Sequence, residues 1–140
     1  MRYLLDTNIF VYAVSDPDLL SRDVKSILED YDSVLCISVE SVRELIVAFK
    51  NKGLGSKLWK TAEQMVDAIE NEFYLTVLPI KKEHLKTFAK LRTNNKQGHK
   101  DPSDHIIISQ AITESLPLIS SDQRFDYYRK QGLDLIFNKK

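Results

Sequence analysis

The chain has 140 residues, 43% of them hydrophobic, which is enough for one packed domain and too few for two, so we expect a single domain over residues 1–140. Twenty lysines and arginines balance twenty aspartates and glutamates. The formal net charge is therefore zero, which excludes a broad cationic surface that holds nucleic acid non-specifically.

The sequence shows no sign of an oxidising or membrane environment. Its single cysteine, Cys36, excludes an intramolecular disulfide and a cysteine-rich zinc site, and its apolar neighbours predict a buried thiol. No apolar stretch approaches the ~20 residues of a membrane span. The N-terminus reaches Asp6 too soon for the apolar core of a secretory signal. We expect a cytoplasmic protein without a membrane association.

The first part of the chain alternates apolar runs with helical periodicity. Residues 3–5 form an apolar run that ends at Asp6, and the apolar residues after it recur at helical spacing, which predicts strand, turn and helix. Residues 33–37 are predicted as a strand, with Ser38 capping a helix that contains Glu44 and ends near Gly53. Between them, residues 19–31 are predicted as a helix whose inner face carries Leu20, Val24, Ile27, Leu28 and Tyr31.

The rest of the chain continues this alternation. Its predicted elements are, in order, a helix over residues 57–73, a strand over 74–78 stopped by Pro79, a helix over 81–91, a polar loop over 93–100, a helix capped by Asp101 with Pro102 in its first turn, a strand over 118–120, a helix near Tyr128 and a strand over 133–137. Strands that alternate with helices predict an α/β fold with a mainly parallel sheet, whose site lies at the carboxyl ends of the strands. Asp6 and Asp122 are predicted at that edge.

Acidic residues occur in apolar or helix-capping contexts at four places: Asp6, Glu44, the pair Asp101 and Asp104, and Asp122. Each alone has an ordinary explanation as a helix cap, a helix-surface acid or a loop acid. Together, carboxylates without compensating cations repel one another, and a bound divalent cation is the usual relief. Oxygen ligands favour Mg²⁺ or Mn²⁺, and such an ion promotes hydrolysis of a phosphodiester.

The motifs around these acids are Leu5-Asp6-Thr7-Asn8-Ile9, Ser41-Val42-Arg43-Glu44-Leu45, the run from Asp101 to Ala111, and Leu118-Ile119-Ser120-Ser121-Asp122. Together they resemble the signature of PIN domains, in particular VapC-type toxin ribonucleases, over nearly the whole chain. The resemblance implies a three-layer α/β/α sandwich around a parallel sheet. It also implies an endoribonuclease that uses Mg²⁺ or Mn²⁺, with an RNA substrate, a protein antitoxin and a second copy of the chain as its partners.

Residue by residue, the resemblance assigns metal binding and catalysis to four acids: Asp6, Glu44, Asp104 and Asp122. Asn8 and Ser120 match the polar residues that help to hold the acids. Asp101 matches the first acid of an Asp-Pro-x-Asp variant, where helix capping, indirect support and direct ligation remain open. For the dimer surface, the pattern indicates the apolar side chains around Leu45, Phe49, Leu58 and Trp59.

A basic segment precedes the Asp101 motif. Residues 81–100 contain seven lysines and arginines against one acid, Glu83. This segment either guides the phosphates of an RNA or forms a solvated helix face, and the sequence favours neither. On the first interpretation, Lys96, His99 and Lys100 are the substrate-binding residues.

Three other functions fit parts of this pattern. A phosphohydrolase of the haloacid dehalogenase type, with Asp6 as nucleophile, needs a second acid two residues later, where Asn8 stands. Flap-endonuclease relatives share the acid chemistry on DNA but have much longer chains, so RNA is favoured. A catalytically inactive PIN-like RNA-binding or assembly module is the remaining alternative, although none of the four acids is missing.

Overall fold

A computed structural model describes residues 1–139 of the chain. Its strands are β1 Arg2–Leu5, β2 Val34–Ser38, β3 Thr76–Leu78, β4 Leu118–Ser120 and β5 Leu135–Phe137. Its α-helices are α1 Thr7–Ser15, α2 Arg22–Glu29, α3 Val39–Lys52, α4 Ala62–Asn71, α5 Lys82–Lys90 and α6 Pro102–Glu114. Two 3₁₀ segments cover Pro17–Leu19 and Gln123–Gln131. Within the described residues, every helix is too short or too polar to cross a membrane.

The five strands form one sheet in the order β3-β2-β1-β4-β5, and every neighbouring pair is parallel. The chain builds outward from β1 to β3 and then crosses to β4 on the other side of β1. The strand order therefore reverses between β1 and β4. Open parallel sheets bind ligands at such a switch point, outside the carboxyl ends of the strands. The predicted mainly parallel sheet is confirmed.

Alternate strand residues face two separate cores. In β1, Leu5 packs with the residues of α1 to α4, whereas Leu4 packs with α6 and the 3₁₀ helix Gln123–Gln131. In β4, Ile119 and Leu118 divide between the same two cores. This two-residue period is what a sheet covered on both faces requires. The predicted three-layer α/β/α sandwich is confirmed, and Cys36 is buried as predicted.

Three helices begin at the carboxyl edge of the sheet because short polar side chains cap them there. Asp6 Oδ1 accepts the backbone N–H of Thr7 at 2.9 Å, and Ser38 Oγ accepts that of Glu40 at 3.1 Å. Asp101 Oδ1 accepts the N–H of Ser103 at 3.0 Å and caps α6, as predicted. The positive ends of three helix dipoles therefore point to this edge, where they favour negative charge.

Several predicted boundaries are wrong. The helix predicted over residues 19–31 is shorter, because Ser21 caps α2, and Tyr31 is fully exposed rather than on an inner face. The helix predicted over residues 57–73 begins only at Ala62, where Thr61 Oγ1 accepts the N–H of Gln64 at 3.1 Å. The strand predicted from Tyr74 starts at Thr76, because Tyr74 has a φ of 55°, which a strand does not permit.

The apolar residues expected at a dimer surface lie mostly in the core. Leu45 and Trp59 are buried, Phe49 is half-buried, and Leu58 alone among the four is well exposed. Gly55 shapes this region, since its φ is +79° and an added Cβ would lie 2.8 Å from the Trp59 ring. An apolar cavity of about 450 Å³ opens beside Trp59 and Leu58.

Candidate active site

Asp6 lies between β1 and α1 and is 4% exposed, buried more fully than the other three predicted catalytic acids. Its Oδ1 accepts the N–H of Thr7, and its Oδ2 accepts the hydroxyl of Ser120 at 2.7 Å. Ser120 Oγ also accepts the backbone N–H of Asp122 at 3.1 Å. The Asp6 carboxylate is thereby tied to both strands that meet at the switch point.

Glu44 lies one turn after Glu40 on α3 and is joined to the same network through Thr7. The Thr7 hydroxyl donates to Glu44 Oε1 at 2.7 Å and contacts Ser41 Oγ at 2.8 Å. Thr7 therefore contacts Asp6 through its backbone and Glu44 through its side chain. Thr7 thereby fixes the position of Glu44 relative to Asp6.

Asp104 and Asp122 approach each other. One carboxylate oxygen from each and one ring nitrogen of His99 lie within 4.8 Å of one another. Asp104 Oδ2 also lies 2.9 Å from His99 Nε2. Asp6 and Glu44 lie outside this three-residue group, but the charges of Asp104 and Glu44 act on Asp6, so the four acids share one edge of the sheet.

Asp122 has a counter-ion that was not predicted from the sequence. Its Oδ1 accepts the backbone N–H of Arg124 at 2.9 Å and the side-chain Nε–H at 3.0 Å, while its Oδ2 accepts from Nη2 at 2.7 Å. This is a two-point pairing of guanidinium and carboxylate, which is stronger than a contact at one atom. The premise that the acids lack compensating cations is therefore wrong for Asp122.

The acids differ in how their surroundings affect ionisation. Burial, together with the charges of Asp104 and Glu44, raises the pKa of Asp6 to about 7 against the opposing hydrogen bonds from Ser120 and Thr7. Burial also raises the pKa of Glu44, helped by the charges of Asp104 and Asp101 and opposed by Thr7. Both shifts reflect the removal of carboxylates from water beside other acids, and within residues 1–139 neither carboxylate forms an ion pair with a cation.

The pKa of Asp122 is shifted in the opposite direction. Burial would raise the pKa of Asp122, but the hydrogen bonds and charge of Arg124 outweigh it, and the net pKa lies below its usual range. The surroundings of Asp122 thus stabilise its ionised form, whereas those of Asp6 make ionisation unfavourable.

A further pair lies at the rim, on the first turn of α3. Glu40 accepts Nε and Nη2 of Arg43 at 2.9 and 2.8 Å, and this pairing lowers its pKa. Ser103, at the start of α6, is buried with its hydroxyl beside Glu40 and Glu44. There it adds to the lowering of the pKa of Glu40 and opposes the rise in that of Glu44, without a hydrogen bond of ordinary geometry. The rim therefore joins α3 and α6 through polar groups.

The donor set fits a hard divalent cation. The acids offer carboxylate oxygens, as Mg²⁺ and Mn²⁺ prefer, and the raised pKa values of Asp6 and Glu44 identify excess negative charge that a cation would relieve. Two buried side-chain oxygens nearby, Asn8 Oδ1 and Ser103 Oγ, have no hydrogen-bond partner among the described residues. Orphaned polar atoms at the edge of an acid cluster are consistent with a site that binds an ion and its water.

The other predicted site residues have different outcomes. Lys96 and Lys100 are exposed, and Asp101 caps α6 with a charge that acts on Glu44. The expectation that His99 contacts substrate does not fit the structure, because the residue is completely buried under the loop that carries it. Asn8 Oδ1 makes no hydrogen bond to an acid among residues 1–139, so the expected support from Asn8 is not visible.

Three residues of the site were not predicted from the sequence: Thr7, Glu40 and Arg124. Thr7 stands inside the Asp6 motif, but its partner Glu44 is 37 positions away. Arg124 had a local signal, since it follows Asp122 by two residues and so lies within reach of the carboxylate that caps it. Glu40 lies in the first turn of α3, where an acid is also an ordinary helix-dipole partner.

The shifted pKa of Asp6 predicts how stability depends on pH without metal. The folded state holds a proton on Asp6 up to about pH 7, whereas the unfolded chain releases it near 3.8. The free energy of unfolding should therefore fall as pH rises through this window. Between pH 5 and pH 8 the decrease due to Asp6 should reach at most about 3 kcal/mol, two pH units at ~1.36 kcal/mol each. Urea unfolding in chelator, compared between wild type and Asp6→Asn, measures it.

The matched control is Asp122→Asn. Because folding lowers the pKa of Asp122, its ionised carboxylate stabilises the folded state at every pH above the pKa it has in the unfolded chain. This stabilisation disappears only in acid. Asp122→Asn should therefore lower stability equally at pH 5 and at pH 8. A wild-type slope that survives Asp6→Asn unchanged would contradict the assignment.

Several solved structures with the same fold are VapBC proteins. The chain is similar to VapBC2 from Rickettsia felis bound to a promoter DNA fragment, with 24% identity, a TM-score of 0.73 and coverage of 99% of this chain and 100% of that one. It is similar to VapBC-1 from nontypeable Haemophilus influenzae, with 25% identity, a TM-score of 0.66 and 98% of each chain covered. It is also similar to DNA-bound VapBC from Salmonella typhimurium, with 18% identity, a TM-score of 0.68 and 98% of each chain covered.

Among curated proteins, none matches this sequence. The family model of the PIN domain matches residues 3–131, a span that runs from β1 to the end of the 3₁₀ helix after Asp122 and includes all four acids. With that match, and with the sheet order and acid cluster described above, the chain belongs to the PIN domain family.

Proposed function

We propose that this chain is a metal-dependent endoribonuclease of the VapC type, the toxin of a toxin–antitoxin pair. The observation that carries the proposal is that the charges of Asp104 and Glu44 act on the buried Asp6, whose pKa is raised to about 7, while carboxylate oxygens of Asp104 and Asp122 lie within 4.8 Å of each other. PIN domains are a nuclease family, and the similar structures from Rickettsia felis and Haemophilus influenzae are VapBC complexes.

Asp6, Glu44, Asp104 and Asp122 would hold Mg²⁺ or Mn²⁺. The ion supplies Lewis-acid chemistry, making water a stronger nucleophile and stabilising the charge that builds on the phosphate. In the hydrolysis, a water oxygen forms a new bond to phosphorus, the bond from phosphorus to one sugar oxygen breaks, and that oxygen takes up a proton. Arg124 and the amino ends of α1, α3 and α6 provide positive charge that attracts the phosphate to this edge.

The nuclease proposal is tested by removing one carboxylate. Asp104→Asn should lower cleavage of single-stranded RNA in Mg²⁺ or Mn²⁺ by at least ~100-fold, because the side chain then no longer offers the ion a charged oxygen. Cleavage of a fluorescent RNA, and of a DNA of the same sequence, is measured beside a circular dichroism spectrum that checks the fold.

Asp134→Asn is the matched control. Asp134 is exposed and immediately precedes β5, at the sheet edge opposite the acids, so the same chemical change there should leave cleavage unaltered. Wild-type protein that binds RNA without cutting it would favour the inactive RNA-binding module, for which the pairing of Asp122 with Arg124 is the supporting observation. Full cleavage by Asp104→Asn would exclude the proposed mechanism.

The basic segment over residues 81–100 is proposed to guide the RNA backbone. Lys96 lines a cavity of about 600 Å³ that also includes Gln123, the neighbour of Asp122, and Lys100 adjoins Asp101. On an Asp6→Asn background that cannot cut, Lys96→Glu with Lys100→Glu should weaken RNA binding. The salt dependence should flatten by roughly 0.7 logarithmic units for each phosphate of a single strand that the protein no longer neutralises.

The matched control is the double variant Lys50→Glu with Lys52→Glu, which makes the same change of charge away from the basic segment. These exposed lysines end α3, about 9 and 12 Å along the helix beyond Glu44 at 1.5 Å per residue. RNA affinity should not change in this control beyond the general effect of net charge. Equal affinity and equal salt slope in both double variants would assign Lys96 and Lys100 to the solvated surface.

An antitoxin segment in the acid groove and a homodimer complete the proposal. Support comes from the VapBC complexes among the similar structures and from the exposed Leu58 beside an apolar cavity of about 450 Å³. Light scattering of the purified chain at high concentration should give twice the mass of 16.2 kDa. A strictly monomeric chain would contradict the dimer and leave the nuclease proposal untouched.

A further inference from the structure

The segment from Asn94 to His99 places a buried histidine directly behind the acid cluster. His99 has no exposed surface, and its ring packs against Phe125, with ring centroids 5.4 Å apart. One ring nitrogen, Nε2, lies 2.9 Å from Asp104 Oδ2, and the other, Nδ1, lies 2.9 Å from the Tyr128 hydroxyl. The geometry alone allows His99 to be either a metal ligand or a hydrogen-bond donor to Asp104.

The hydrogen bonds behind His99 decide between these roles. Tyr128 is also completely buried, and its hydroxyl oxygen accepts the backbone N–H of Asn94 at 3.0 Å. Because that N–H can only donate, the Tyr128 proton is left for His99 Nδ1, which must then be the acceptor. The ring proton therefore resides on Nε2, where it points to Asp104 Oδ2.

Ligation by His99 would reverse this arrangement. A metal on Nε2 requires the ring proton on Nδ1, which would then donate to the Tyr128 oxygen. The Tyr128 proton would have no acceptor, because among residues 1–139 the structure gives that hydroxyl no hydrogen-bond partner besides Asn94 and His99. A buried hydroxyl proton without an acceptor is costly, so the network resists ligation.

We infer that Asn94, Tyr128 and His99 form a relay that positions Asp104, with His99 as a donor and not a ligand. The relay holds Oδ2 of Asp104 from behind and leaves its Oδ1 without a protein partner among the described residues. His105 fixes the same loop, since its Nε2–H donates to the His99 carbonyl at 3.0 Å. The inference deepens the proposed function and rests on it, because it takes Asp104 as a ligand of the ion.

The tautomer is measured directly in wild-type protein labelled with ¹⁵N in histidine. In metal-free protein, the long-range ¹H–¹⁵N spectrum should show His99 protonated on Nε2 and unprotonated on Nδ1. Saturating Mg²⁺ should leave this pattern unchanged. An unprotonated Nε2, before or after Mg²⁺ is added, would overturn the inference. His99→Gln assigns the signals by their disappearance.

The effect on the ion is measured as Mn²⁺ affinity, from the electron paramagnetic resonance signal of free Mn²⁺. His99→Phe keeps a ring and removes the donor, so Mn²⁺ should bind ~10–100-fold more weakly. His99→Gln, which retains an N–H near the Nε2 position, should restore most of that affinity. Tyr128→Phe removes only the hydroxyl and should weaken Mn²⁺ binding about 10-fold, because nothing then holds Nδ1 of His99 as an acceptor.

His84 supplies a matched control at another place in the fold. It is also buried, and its Nε2 lies 2.8 Å from a carboxylate, that of Glu114, far along α6 from Asp104. His84→Phe should leave Mn²⁺ affinity unchanged, because only its local packing is altered. Equal Mn²⁺ affinity in His99→Phe and wild type would reduce His99 to a packing role and overturn the relay.

Asp104→Asn separates this inference from the proposed function. If that variant binds Mn²⁺ as tightly as wild type, the proposed metal centre fails. The amide introduced by Asp104→Asn can donate or accept, so the tautomer of His99 in the metal-free variant still reports whether Tyr128 directs the ring proton to Nε2, independently of any ion. If Asp104→Asn weakens Mn²⁺ binding and His99→Phe does not, the metal centre stands and the relay alone is excluded.

Discussion

The buried carboxylate of Asp6 is the group around which the polar part of this protein is organised. It lies where β1 passes into α1, and its two oxygens contact Thr7 and Ser120, which in turn contact Glu44 and Asp122. A carboxylate removed from water and surrounded by other acids is unfavourable, as its pKa of about 7 expresses. The packed layers on both faces of the sheet hold it there at that cost.

The four acids are not equivalent, because each has a different kind of partner. Asp122 is paired with the guanidinium of Arg124, Asp104 contacts the ring of a buried histidine, and Glu44 contacts a hydroxyl. Among the four acids, and within residues 1–139, only Asp122 is paired with a lysine or arginine side chain. The excess negative charge is thus concentrated between Asp6, Glu44 and Asp104, and a bound cation would find its strongest field there.

Contacts close in sequence were predictable, and contacts between distant elements were not. Ser38 and Asp101 were identified as helix caps because a cap and its N–H are two residues apart. The sheet followed from alternating strands and helices. By contrast, Thr7 and Glu44 are 37 positions apart, and no local pattern pairs them. His99 lies in a polar segment whose composition predicts exposure, and its burial depends on Tyr128, 29 positions later.

The predicted helix boundaries were wrong for a related reason. Apolar periodicity identifies which residues a helix buries, but the first residue of a helix depends on which side chain supplies the cap. Ser21 and Thr61 both start their helices later than the apolar pattern implied. At the site, the same capping chemistry has a second consequence, since Asp6, Asp101 and Asp122 each cap the helix that follows and also present their charge to the edge.

Because the same acids cap helices and face the site, the fold itself orients the groups that an ion would bind. An acid that caps a helix accepts N–H groups through one oxygen and is held in one orientation, with lone pairs left over on its carboxylate. The capping bonds therefore prearrange the acids before an ion arrives, and a ligand that binds only the folded state stabilises it by mass action. At a concentration 100-fold above its dissociation constant that gain is about 2.7 kcal/mol. The cost of ionising Asp6 in the metal-free site is larger, about 4 kcal/mol for a pKa raised from 3.8 to about 7 at ~1.36 kcal/mol per unit. A cation at about 1,000 times its dissociation constant gains about 4.1 kcal/mol and so offsets the strain at the edge.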